Sequence, residues 1–160
     1  MSAKPPKPLG RKISRSLRRG GGAFPIAVIA SRFNPEIADE LLRSCLGRLA
    51  QIGIPSARID VHRVPGAFEL PLSAKLAAKT GKFAAIICLG VVVRGQTPHF
   101  DYVAGEAARG IQQVGLETGV PVIFGVLTTN TEKQARQRIV AGRRAADAAV
   151  EMIELKSKLQ

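Results

Sequence analysis

Of the two histidines, His62 and His99, only the second stands where it could do chemistry. His99 ends the loop Arg94-Gly95-Gln96-Thr97-Pro98 at the entrance to a helix, and imidazole is the side chain whose ordinary pKa, ~6.5, lies near neutrality. A histidine so placed can shuttle protons. His62 lies on an alternating strand face and reads as solvated or packed. Phe33, between Arg32 and Asn34-Pro35, sits at a turn, where phenylalanine either plugs the core or offers its face to a planar heterocycle. Phe68-Glu69, directly after Pro65-Gly66-Ala67, offers a second aromatic wall and a carboxylate. That carboxylate can accept hydrogen bonds from a polyol or cap the helix it introduces. Gly95-Gln96-Thr97 lies just before a helix start, where free N–H groups and the helix dipole favour a phosphate. The glycine spacing matches neither a Walker A loop nor a dinucleotide fingerprint, which excludes the usual NTPase and dehydrogenase readings. The two cysteines, Cys45 and Cys88, make neither a disulfide scaffold nor a four-cysteine zinc site, and with two histidines a histidine-rich metal centre is not expected.

The elements around these residues must bring them to one place. Ile26-Ala27-Val28-Ile29-Ala30 is a short unbroken apolar run, as expected of a strand buried on both faces. Ile37, Leu41, Cys45, Leu46 and Leu49 form one stripe of a following helix. Ile59 and Val61 alternate with Asp60 and His62, predicting a strand with one wet face. A helix is expected from near Pro71 to Gly81, with proline early and glycine late. Ala84–Val93 is the strongest strand and should sit centrally. Val103, Ala107, Ile111 and Val114 mark the third helix, and Val122–Leu127 a fourth buried strand. Two helices, near 131–141 and 145–158, close the chain, the second with Ala146, Ala149, Val150 and Ile153 inward. Four parallel strands with helices on both sides predict a flavodoxin-like three-layer α/β/α sandwich with strand order 2-1-3-4. That order reverses direction between strands one and three, and ligands bind outside the carboxyl ends of strands at such a switch point. Phe33, Ala67–Glu69 and Arg94–His99 all fall at strand ends there.

Charge and length bound the rest. The 160 residues suit one domain, and 46% hydrophobic residues argue for a globular chain. No apolar run approaches the ~18 residues of a membrane helix. The net charge of +12 is concentrated at one end. Residues 1–23 hold seven cations and no acid, leaving seventeen cations against twelve acids on residues 24–160. The Pro-, Ser- and Gly-rich 1–23 segment is expected to be a disordered, solvated tail, with an electrostatic arm for a polyanion as its functional alternative. Nucleic acid is not the expected partner, because the core lacks interleaved basic and aromatic residues. No apolar stretch of a secretory signal follows the basic residues, so cytoplasm is the expected compartment. The residues by themselves describe a domain at 24–160 that binds a planar, polyol-bearing ligand, with a place for a phosphate, either as an enzyme or as a non-catalytic binder of such a ligand.

Four strings carry a more specific signal. SRFN at Ser31–Asn34, VPGAFELP at Val64–Pro71, LGVVVRGQTPHFDYV at Leu89–Val103 and PVIFGVLTTNTEKQA at Pro121–Ala135, with Arg138 beyond, resemble the lumazine synthase family in order and spacing. The resemblance implies a transferase of riboflavin biosynthesis. It would condense 5-amino-6-(D-ribitylamino)uracil with 3,4-dihydroxy-2-butanone 4-phosphate, releasing phosphate and water, with no metal and no cofactor. It implies that Phe33 stacks on the pyrimidine, and that Ala67, Phe68 and Glu69 hold the ribityl chain. Val91, Val92 and Val93 would read the pyrimidine edge through their backbone. Gln96 and Thr97 would receive the butanone phosphate beside Arg94, and His99 would transfer protons. Phe124 and Arg138 would come from a neighbouring subunit, the arginine gripping phosphate through its planar fork. The implied assembly is a homo-oligomer, a pentamer or larger, with sites at subunit interfaces. After Arg138 the chain departs from the family pattern. Val140–Ala145 is shorter than the usual glycine-containing stretch, and Arg144 stands near the place of the usual lysine.

Overall fold

In a computed structural model, residues 24–160 are described. The basic segment 1–23, and the expectation of a disordered tail there, lie outside the described residues. Strand β1 (Ile26–Ser31) is buried along its whole length, as its unbroken Ile/Val/Ala run requires. Asn34 then turns the chain in the left-handed region, φ 54° and ψ 64°, a conformation asparagine tolerates better than most residues. Pro35 opens helix α1 (Pro35–Gln51), its preset φ matching the first helical position. Next come β2 (Ile59–Val64), α2 (Leu70–Lys79), β3 (Ala85–Val93), α3 (His99–Thr118), β4 (Val122–Thr129), α4 (Glu132–Arg136) and α5 (Ala141–Leu159). Short 3-10 turns occupy Ser56–Arg58 and Ala67–Glu69.

The four strands pair in parallel in the order β2-β1-β3-β4, the flavodoxin-like arrangement that the sequence predicts. Alternation along each strand divides its apolar residues between two cores. Ile26, Val28 and Ala30 of β1, with Ile87, Leu89 and Val91 of β3, pack against α1 and α5. Ala27 and Ile29, with Ile86 and Cys88, pack on the opposite side against α2 and α3. Each fully buried isoleucine or leucine contributes roughly 1.5–3 kcal/mol by leaving water. The central position expected for Ala84–Val93 follows from β3 pairing on both sides, with β1 and with β4.

Three boundaries depart from the sequence reading. The helix expected near 131–141 stops at Arg136, and α5 starts at Ala141, before the expected 145. Between them Arg138 N–H donates to Ala135 O, Ala141 N–H to Arg138 O and Gly142 N–H to Ile139 O, each closing a tight three-residue turn. Gly142, which suggests a loop in the sequence, therefore sits in the first turn of α5. It does so because α5 crosses α1 there at close range. A Cβ at 142 would meet the Leu41 carbonyl oxygen, the Cys45 backbone nitrogen at 2.9 Å and Ser44 Cβ at 3.0 Å. Strand β4 runs past Leu127 to Thr129, paired with Val93. On the edge strand β2, Val61 is exposed along with His62, so neither face of that strand is fully covered. Among the described residues no helix is long and apolar enough to cross a membrane.

Candidate active site

The strand order places the ends of β1 and β3 side by side, and a cleft of about 280 Å³ opens beyond them. Phe33, carried on the turn that Asn34 makes possible, stands over it with 68% of its surface exposed. Backbone strain at a left-handed non-glycine residue is tolerated where the surroundings fix it. Here the helix start at Pro35 follows at once, and Arg32 N–H donates to Val64 O at 2.8 Å, anchoring the chain before the turn. The floor is the end of β3: Val91 is buried, while Val92 and Val93 are half-buried and reach the cleft. An exposed heterocycle edge meeting that strand end would find backbone N–H and C=O groups as partners.

The third wall is built by Ala67, in the 3-10 turn after β2. Gly66 N–H donates to Glu69 Oε2 at 2.9 Å and Glu69 N–H to Gly66 O at 3.3 Å, which closes the turn. The Glu69 carboxylate thus caps the turn that introduces α2 through Oε2, and a carboxylate keeps further acceptor sites beyond that one bond. Phe68 is 57% exposed and, like Glu69, is not on the cleft wall.

Opposite lie Gly95, Thr97 and His99, with His99 the first residue of the twenty-residue helix α3. Helix α3 directs its N-terminal N–H groups and positive dipole end to this side of the cleft, which suits a phosphate. Gln96 is exposed outside the lining. Phe100 and Val103 complete the wall, and the sequence reading did not place either one there. Their signal was helical spacing: residues three apart on α3, starting beside His99, share a face. Arg94 is engaged. Its Nε donates to Asn130 Oδ1 at 3.1 Å, a terminal nitrogen donates to Asp101 Oδ1 at 3.3 Å, and its guanidinium lies 4.3 Å from the centre of the Phe100 ring.

Phe124 and Arg138 are elsewhere. Phe124 pairs with Cys88, well before the end of β4, and is 44% exposed on that edge strand. Arg138 follows α4 and donates to Gln134 O at 3.0 Å. Neither lines the cleft of its own chain. Arg144 is exposed in the first turn of α5. The thiols of Cys45 and Cys88 are no nucleophiles, since burial pushes both up to about 12. A wider groove of about 350 Å³ lies between the C-terminal ends of α3 and α5, faced by Leu116, Met152, Leu155 and Leu159, and carries none of the residues expected to act.

Comparison with known proteins bears on this geometry. A family model described as 6,7-dimethyl-8-ribityllumazine synthase matches residues 23–157. A protein of Desulfotalea psychrophila bearing that same name is 50% identical over 145 residues, spanning 89% of this chain and 92% of the relative. One from Protochlamydia amoebophila, also so named, is 49% identical over 84% of this chain and 81% of the relative. A third, from Desulfatibacillum aliphaticivorans, is 48% identical over 91% and 94%.

Proposed function

The chain belongs to the 6,7-dimethyl-8-ribityllumazine synthase family, and from that premise we propose that the cleft between β1 and β3 is its active site. The chain is a transferase of riboflavin biosynthesis. In the proposed reaction 5-amino-6-(D-ribitylamino)uracil condenses with 3,4-dihydroxy-2-butanone 4-phosphate, and phosphate and water leave. The observation that carries this reading is the meeting of Phe33, the Val91–Val93 strand end, Thr97 and His99 around one cleft. A planar pyrimidine would stack on Phe33 and be read along the strand end, while the phosphate would lie toward Thr97 and the start of α3.

The pyrimidine's 5-amino nitrogen attacks the ketone carbon, and loss of water gives an imine. A proton then leaves carbon, the C–O bond to phosphate breaks, and the resulting enol returns to a ketone. The ribityl-bearing nitrogen closes the ring on that ketone, and a second dehydration completes the lumazine. Each step needs proton movement and two substrates held together, and little else. Orientation of bound reactants can supply up to ~7–11 kcal/mol of barrier lowering. His99, exposed at the cleft mouth, is the proposed proton carrier. Ala67 would contact the ribityl side. Phe68, Glu69 and Gln96, adjacent in sequence to lining residues, would engage the substrates from the cleft's rim.

The place of Phe124 and Arg138 off this wall supports a shared site, in which both complete the cleft of a neighbouring chain. The proposed assembly is a ring, at least a pentamer, with head-to-tail contacts. The direct test of activity is to mix purified protein with the two substrates and follow lumazine absorbance. Product formation that needs both substrates is expected. No product from a correctly folded, assembled protein would overturn the reading.

A further inference from the structure

We infer that Arg94 is a positioning residue: a latch that joins the phosphate side of the cleft to the turn that presents Arg138. This rests on the active-site reading above. Three elements meet at Arg94. Its own N–H donates to Thr129 O at 2.8 Å, extending the β3–β4 ladder one residue past the end of β3. Its Nε holds Asn130 Oδ1 at 3.1 Å, on the turn after β4. A terminal nitrogen reaches Asp101 at 3.3 Å, in the first turn of α3, and the guanidinium plane covers Phe100 at 4.3 Å. Phe100 lines the cleft next to His99.

The contacts continue from Asn130. Its N–H donates to Gln134 Oε1 at 2.9 Å, Gln134 N–H donates to Thr131 Oγ1 at 3.1 Å, and Gln134 O accepts from Arg138 at 3.0 Å. Arg94, Asn130, Gln134 and Arg138 therefore form one connected hydrogen-bonded chain. One end orders the loop and helix start that carry Thr97 and His99. The other end holds the arginine proposed to reach the next subunit's phosphate. The side of the cleft made by Phe33, Ala67 and the β3 end has no bond to Arg94 beyond the backbone.

The required side chain is a planar fork with donors pointing two ways and a face free for an aromatic ring, which only arginine supplies. A lysine would keep the charge and lose the geometry. A latch of this kind acts on one substrate and spares the other.

The test is steady-state kinetics on the assembled enzyme with Arg94→Lys and Asn130→Ala, alone and combined. Both are expected to raise KM for the butanone phosphate about ten- to a hundredfold, the scale of losing one charge-assisted hydrogen bond to phosphate. KM for the pyrimidine should stay within about twofold, and the combined variant should cost less than the product of the two, because the residues act through one contact. Affinity for inorganic phosphate, read by calorimetry, should fall in parallel. If Arg94→Lys behaves as wild type, charge alone suffices and the latch is wrong. If Asn130→Ala has no effect while Arg94→Lys does, Arg94 touches phosphate directly and the latch is again wrong. Equal shifts for both substrates would mean a general structural role. A wild-type protein that makes no lumazine would overturn the functional reading instead, and the phosphate titration still decides the role of Arg94.

Discussion

Replacing His99 by alanine is expected to slow turnover while leaving the fold intact, because the side chain lies at the exposed start of α3 and outside both cores. Removing an acid–base group costs roughly 10²–10⁴-fold. The low end of that range or less is expected here, since holding two bound reactants in orientation can by itself supply up to ~7–11 kcal/mol of barrier lowering. Wild-type turnover in the variant would remove His99 from the mechanism. Arg138→Ala should weaken use of the butanone phosphate far more than use of the pyrimidine, because a small flexible phosphate ester depends on a dedicated cation. Equal loss toward both substrates would make Arg138 structural. The cysteines allow a check on the cores. Burial pushes both thiols from 9.0 to about 12, so the folded chain keeps two protons that the unfolded chain releases. Stability contributed by the protonated thiols should therefore be full below pH 9.0 and fall as pH rises toward 12. Urea midpoints measured across that window should decline less steeply in a Cys45→Ala, Cys88→Ala double variant.

Helix crossings decide more at the next scale than helix propensities do. Gly142 lets α5 lie against the backbone of α1, and Arg48 Nε meets Asp147 at 2.7 Å across the same pair of helices. Gly142→Ala should cost about 1–3 kcal/mol, the usual penalty for overfilling a close-packed contact, although alanine is the better helix former. Urea unfolding of the variant against wild type measures it, and a stabilised variant would show that the crossing can relax. The position of Gly142 also explains why the last two helices end and begin at Arg136 and Ala141 instead of at the expected 141 and 145. A glycine after a polar stretch signals a loop in sequence, and its reason for being there lies 100 residues away in α1. Phe100 was missed for a similar reason: its role as a wall depends on which way the first turn of α3 faces the sheet.

The whole molecule poses the question of assembly. Strands β2 and β4 are both edges, and β4 presents Phe124 outward. If Phe124 and Arg138 close a neighbour's cleft, an isolated chain should be inactive. Mixing His99→Ala chains with Arg138→Ala chains, after dissociation and reassembly, should restore activity. In an equal random mixture about a quarter of head-to-tail contacts join a native His99 to a native Arg138. Verified mixed assemblies with no recovery would place both residues in the site of one chain.

Much of this was legible in the sequence because strands and switch points follow from local pattern. The unbroken run at Ile26–Ala30 and the Ile- and Val-rich 84–93 segment demanded burial on both faces, and two such strands with intervening helices leave few arrangements. The order β2-β1-β3-β4 then put Phe33 and His99 at one cleft. The tertiary structure alone decided where side chains point once they arrive there. It gave the Glu69 carboxylate to Gly66, tied Arg94 to Asn130, Asp101 and Phe100, and left Phe124 and Arg138 off the wall. Hydrophobic periodicity is a property of neighbours along the chain and can be read there. Hydrogen-bond pairing joins residues such as Arg94 and Asn130, 36 positions apart, and exists only after the strands have been brought together.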